Sequence, residues 1–168
     1  MNGGLPPWLK HATIWLVVGL VVTLGVQAFL AREKATRFVA EQGTVTIERS
    51  DDGHYHWPGR LSAGGKGRDI EFLVDTGATA TAIPLALAQQ LGLAVVGTVQ
   101  SSTAGGVATG SVVIADLELS GGVRVERIRV TALPGLSSAL LGMDVLGRMR
   151  WQQERGQLRV ETGTAARK

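Results

Sequence analysis

The chain contains no cysteine. Disulfides, a thiolate nucleophile and cysteine-ligated metal are therefore all excluded. The absence does not assign a compartment, because many exported proteins also lack disulfides. Histidine is nearly as scarce, with only His11, His54 and His56. No Gly-x-Ser-x-Gly elbow and no His-Glu-x-x-His helix occurs, so the usual serine-hydrolase and zinc-protease readings find no support. His54 and His56 would point the same way in a strand, but two ligands without a third are too few for a metal site. No metal and no other cofactor is expected. Charge of one sign is also missing as a block: 17 Lys and Arg are scattered among 14 Asp and Glu. Without a basic run interleaved with aromatics, nucleic acid is not an expected partner.

Charge is wholly absent from residues 12–31. At about 1.5 Å per residue this stretch would span about 30 Å, the thickness of a bilayer's hydrocarbon core. Trp15 and Arg32 suit interface anchors. A cleaved signal peptide needs small residues at both positions of its cleavage site. The pairs Ala28/Leu30 and Phe29/Ala31 do not meet that need. The expectation is a short tail, residues 1–11, then an uncleaved membrane anchor over residues 12–31, with membrane lipid as its partner. Lys10 precedes the span, whereas Arg32, Lys34 and Arg37 follow it, a count that favours a cytoplasmic domain.

What the chain does have is glycine, 23 residues of it, punctuating short β-branched runs. That pattern predicts an all-β fold. Residues 32–52 are expected to act as a linker, with 32–42 continuing the helix and 43–49 forming a short strand. A domain over residues 53–161 and a polar tail over 162–168 complete the organisation. Within the domain, residues 60–62 and 69–74 flank a glycine-rich hairpin turn. Lys66 in that turn is not followed by Ser or Thr, so it is not a phosphate loop. Pro84 opens and Gly92 closes a short helix. Residues 95–102 and 107–119 form strands joined by Thr103-Ala104-Gly105-Gly106, and residues 123–130 alternate apolar and charged side chains with one slip. Residues 139–142 are apolar and lead into a short helix with Asp144 in its first turn. A last hairpin turns at 154–156.

The chemistry concentrates in Phe72-Leu73-Val74-Asp75-Thr76-Gly77-Ala78. An apolar run reads as a buried strand, and it ends on a carboxylate followed by a glycine turn. A carboxylate buried there is costly unless it is hydrogen-bonded or shares a proton. Asp75 is thus either a chemical group or a turn-former that bonds its own backbone.

Taken with Thr79, Leu91-Gly92-Leu93, the Thr103–Gly106 tip and Leu140-Leu141-Gly142-Met143-Asp144-Val145-Leu146, this stretch resembles retropepsin-like aspartic proteases. The likeness covers residues 54–161 and is greatest to the single-lobe, membrane-anchored bacterial type. It implies a small closed β-barrel lobe with one or two short helices, in which Leu141 and Gly142 pass beside the catalytic loop. It further implies an endopeptidase acting on protein or peptide substrates, with Asp75 from each protomer of a homodimer forming the catalytic pair. Thr76 would bond across the two-fold axis, Gly77 would leave its amide near the carboxylates, and Ala78 would keep the channel open. Thr103, Ala104, Gly105 and Gly106 would close over the substrate as a flap. Anchored relatives of this kind imply a single-pass inner-membrane protein with its domain in the periplasm, against the charge count. Asp144 offers an intrachain partner for Asp75, although a helix start already favours its negative charge. The alternative is a non-catalytic, membrane-tethered dimerisation or peptide-binding module of the same fold.

Overall fold

The computed structural model describes residues 15–24, 26–27, 36–103 and 106–163, with backbone alone at 102 and 103. The chain divides into two units, Met1–Ala35 and Thr36–Lys168. In the first, residues 15–24 and 26–27 are helical and expose Trp15, Leu16, Leu20, Val21 and Leu24. Among the described residues no helix is long and apolar enough to cross a membrane. The rest of the charge-free run, residues 12–14, 25 and 28–31, lies outside the described residues.

The second unit is built from strands β1 (Arg37–Ala40), β2 (Gly43–Glu48), β3 (His56–Ala63), β4 (Lys66–Val74) and β5 (Ala82–Pro84), then helix α1 (Leu85–Leu91). β6 (Ala94–Thr103), β7 (Gly106–Leu119), β8 (Val123–Leu133) and β9 (Ala139–Leu141) follow, then helix α2 (Met143–Leu146), β10 (Arg150–Glu154) and β11 (Gln157–Thr162). The main sheet runs β1-β8-β5-β9-β4-β3-β7-β6, and β7 also pairs with β8. That extra pairing joins β8, β5, β9, β4, β3 and β7 into a closed ring, the expected all-β barrel. Closure satisfies backbone groups that an open sheet would leave at its edges. β10, β11 and β2 form a separate three-stranded sheet.

Local chemistry accounts for most turns. Gly64 and Gly65 take φ of 55° and 82°, the positive values that a two-residue hairpin turn requires. This is the turn containing the glycine cluster, with Lys66 paired to Ala63. α1 starts after Pro84 and ends at Gly92, whose left-handed φ of 64° lets its amide bond back to the last turn. The slip in the β8 alternation is a β-bulge. Ala115 pairs with Ile128 and Leu117 with Val125, so Glu126 and Arg127 together oppose Asp116. Arg127 adopts φ 54°, and its amide donates to Asp116 Oδ1 at 2.7 Å. The extra residue restores the apolar face to the core on both sides.

Two expectations are corrected. Residues 37–40 do not continue a helix; they form β1, paired with β8 from Arg37↔Glu126 to Ala40↔Val123. Phe38 and Ala40 face the core there, and an edge ladder plus apolar contact outweighs the weak helix propensity of a short segment. Thr162, expected in an idle tail, is buried, and its hydroxyl donates to Glu41 O at 2.7 Å.

The core fills the barrel with Trp57, Leu61, Phe72, Ile83, Leu117, Leu119, Leu141 and Leu146, all essentially buried. Trp57 and Phe72 face one another across β3 and β4. Burying a side chain such as Phe72 is worth roughly 1.5–3 kcal/mol. The Trp57 indole N–H would be costly there without a partner, and it donates to Ser120 O and Oγ, both at 3.0 Å.

Candidate active site

Asp75 is placed by two strands that meet although they lie far apart in sequence. β4 runs parallel to β9, with Leu73 opposite Leu140 and Val74 opposite Leu141. The Asp75 amide continues that ladder by donating to Leu141 O at 3.0 Å. The chain then turns tightly. Gly77 N–H donates to Asp75 Oδ1 at 2.9 Å, and Ala78 N–H to Asp75 O at 3.2 Å. A Cβ on Gly77 would lie 3.2 Å from Asp75 Oδ1, so the glycine gives the carboxylate room. Asp75 therefore does bond its own turn, as the plainer sequence reading held. Its other oxygen has no hydrogen bond among the described residues.

The expected burial of this carboxylate is not observed. Asp75 is half-buried, and Thr76 and Gly77 are exposed. Within one chain the loop lies at the surface and its charge is met by an amide and by solvent. Ala78 is half-buried in the same loop.

Beneath the loop lies a network that the sequence reading missed. Met143 N–H donates to Ala78 O at 2.8 Å, and Asp144 N–H to Thr79 O at 3.2 Å, so the first amides of α2 hold the end of the Asp75 loop. Asp144 Oδ1 accepts from both the amide (2.9 Å) and the hydroxyl (2.8 Å) of Thr81. Thr81 Oγ1 in turn accepts from Gly142 N–H at 3.3 Å. Thr81 is completely buried. Gly142 is required by packing: a Cβ there would lie 2.5 Å from the Ala80 carbonyl carbon and 2.8 Å from Thr81 N. Asp144 lies in the first turn of α2, as expected, and its side chain also reaches to Thr81, whose buried hydroxyl and amide would be costly without an acceptor. A threonine amid Ala80, Ala82 and Ile83 was the available clue to this network.

β6 and β7 pair to the last register position, Thr103↔Gly106. Ala104 and Gly105, the expected flap tip, lie outside the described residues. The histidines serve a turn elsewhere. Asp52 accepts from His54 N–H at 2.9 Å and bonds His56 Nε2 at 2.8 Å. The His54 amide first, and then the His56 ring, hold the Asp52 carboxyl below its ordinary range. No cluster of three or more potential metal ligands occurs among the described residues. Two surface grooves, one around Trp151 and Arg159 and one around Lys66 and Leu91, do not include Asp75.

A closed β lobe with Asp-Thr-Gly-Ala at the end of one strand, secured by a second strand that leads through glycine into a helix, is the retropepsin-like fold of aspartic proteases. Residues 63–148, just over half of the chain, match the family described as "gag-polyprotein putative aspartyl protease", and the chain belongs to that family. A crystal structure of a retropepsin-like aspartic protease from Rickettsia conorii is similar in fold, with a TM-score of 0.53 and 24% identity, covering 75% of this chain and 98% of that one. No curated protein shows a match.

Proposed function

We propose that the protein is a membrane-anchored aspartic endopeptidase whose active site forms between two copies, each contributing Asp75. The observation that carries this reading is the Asp75 loop itself. Its carboxylate is positioned by the Gly77 amide, and its backbone is held by Leu141 on one side and α2 on the other. A group that only shaped a turn would not need that second support.

Hydrolysis of a peptide without metal or covalent intermediate needs one group to take a proton from water and another to give one to the carbonyl oxygen. Two close carboxylates sharing one proton can do both, as they do in aspartic proteases generally. The ionised carboxylate removes a proton as the water oxygen attacks the carbonyl carbon. The protonated one delivers its proton to the carbonyl oxygen. Collapse of the tetrahedral intermediate, with proton transfer to nitrogen, then breaks the C–N bond. The chain contains one Asp-Thr-Gly, so a two-fold axis is the economical source of the second carboxylate. Asp144 is a poor substitute, since its Oδ1 is already occupied by Thr81. Thr76, exposed in the single chain, would bond across the axis, and the β6–β7 tip would cover the peptide and exclude water.

Cleavage of a mixed peptide library by the purified full chain tests the reading. Activity should follow a bell-shaped pH profile with its optimum on the acid side of neutrality, because one carboxyl must be protonated and the other ionised. The two limbs belong to the pair. A rate that climbs steadily into alkaline pH would rule out a carboxylate pair.

The anchor is residues 12–31, and its support is the charge-free run together with the exposed apolar side chains of its described part. Such a surface needs cover by lipid or protein. Tethering two copies in one membrane would also raise their effective concentration for pairing. The domain lies in the periplasm and the span in the inner membrane. A reporter active only outside the cytoplasm, fused after Lys168, should be active. Activity of a cytoplasm-only reporter at the same position would reverse the orientation.

A further inference from the structure

We propose that the end of the barrel carrying Lys66, Arg127 and Arg129 docks on the anionic lipid headgroups of the membrane that holds the anchor. The inference rests on the anchor reading above and adds which face of the domain meets the bilayer. The span ends at Ala31 and the folded domain begins at Thr36. Five peptide steps separate the two, and an extended chain covers at most about 3.6 Å per step. Thr36 therefore lies within about 18 Å of the hydrocarbon boundary, a distance that the headgroup layer itself partly fills. The domain surface around Thr36 is held close to lipid.

Thr36 is pinned to one place on that surface. Its hydroxyl donates to Arg127 O at 3.0 Å, so the chain enters the domain beside the β8 bulge. Arg127 and Lys66 line the same groove, together with Ala94, Val96, Ile114 and Asp116. Ala94 pairs with Ile114, and Ile114 with Arg129. Paired residues of adjacent strands share a side of the sheet, so Arg129 stands on this face as well. Lys66, Arg127 and Arg129 are exposed, and their side chains make no ion pair among the described residues. The carboxylate in the groove is Asp116, and one of its oxygens already accepts from the Arg127 amide. Arg32, Lys34 and Arg37 add positive charge near the entry point, against Glu33 and Glu126.

Apolar side chains accompany the cations. Val95 and Val96 are 63% and 54% exposed where β6 bulges at the groove. Basic groups beside exposed apolar ones suit a surface of phosphates over acyl chains. Each cation near an anionic surface contributes about fivefold to binding, so these three favour the docked state about a hundredfold. The catalytic loop is not covered by such docking. β4 begins at Lys66 and its 9 residues end at Val74, which puts Asp75 about 30 Å along the strand from the docked end. Asp75 is thus left free to pair and to receive a peptide that stands clear of the headgroups.

The absence of native cysteine allows single-site labelling of the full chain. Val96→Cys places an environment-sensitive fluorophore in the groove, and Glu41→Cys places one past the far end of β1. Position 41 is about 17 Å from Thr36 along that strand. In vesicles of phosphatidylcholine and phosphatidylglycerol with a headgroup-linked quencher, position 96 should be quenched several-fold more than position 41. The difference should be lost at high salt, in phosphatidylcholine alone, and when Lys66→Glu, Arg127→Glu and Arg129→Glu are combined. The salt and lipid arms need no charge substitution, and they decide if the triple variant does not fold. Equal quenching at 41 and 96, or quenching at 96 that ignores salt and lipid charge, would overturn the docking face while the anchor stands. A lipid-independent change at 96 that grows with protein concentration would give the groove to a second copy and overturn it too. A chain that does not float with the vesicles overturns anchor and docking together. Cleavage of a soluble peptide should be the same in the triple variant, and its absence from wild type counts against the peptidase reading alone.

Discussion

Asp75→Asn should lower peptide cleavage about 10³-fold or more, the scale expected when general acid–base chemistry is removed. The amide keeps an oxygen that can accept from Gly77 N–H, so the loop and the fold should survive. Circular dichroism and thermal unfolding should match wild type. Mixing separates a shared site from a single-chain one. When wild-type and Asp75→Asn copies are co-expressed equally and pair at random, only about a quarter of dimers keep both carboxylates. Activity per total protomer should therefore be about half of what independent active monomers would show. A linear dependence on the wild-type fraction, with subunit exchange demonstrated, would refute the two-chain site.

The second large effect concerns stability. Asp144→Ala removes the acceptor for both the amide and the hydroxyl of Thr81, a residue with no solvent access. Each buried donor left unpaired costs about 1–3 kcal/mol, so the loss should be about 2–6 kcal/mol. In a domain of this size, that lowers Tm by about 10 °C or more. Asp144→Asn keeps an oxygen able to accept both bonds and should cost about 1 kcal/mol or less. It should also keep most activity, because the Asp144 amide still holds Thr79 O. A folded Asp144→Asn protein as inactive as Asp75→Asn would instead make Asp144 the second carboxylate. This pair of variants separates hydrogen-bond geometry from charge.

Much of the lobe was legible residue by residue. Gly64-Gly65, Pro84 with Gly92, and the alternation of β8 act over a few bonds, where steric limits on φ and side-chain period speak directly. Asp75 stood out for the same reason, as a carboxylate ending an apolar strand. β1 was misread because four residues carry little propensity of their own, and its pairing with β8 is a contact between segments far apart in the chain.

The sequence by itself determined that this chain is β-rich, that it bears one Asp-Thr-Gly-Ala turn, and that cysteine, zinc-protease and serine-hydrolase chemistries are not built into it. The resemblance already implied that Leu141 passes beside the Asp75 loop; the tertiary structure alone decided that β9 lies between β4 and β5 and that the first amides of α2 hold the end of that loop. It also decided that Asp144 accepts from Thr81, 63 residues away in sequence. Local preferences act along the chain, whereas a buried donor takes whatever acceptor the closed barrel brings to it, because leaving it unpaired costs more than any local preference gains.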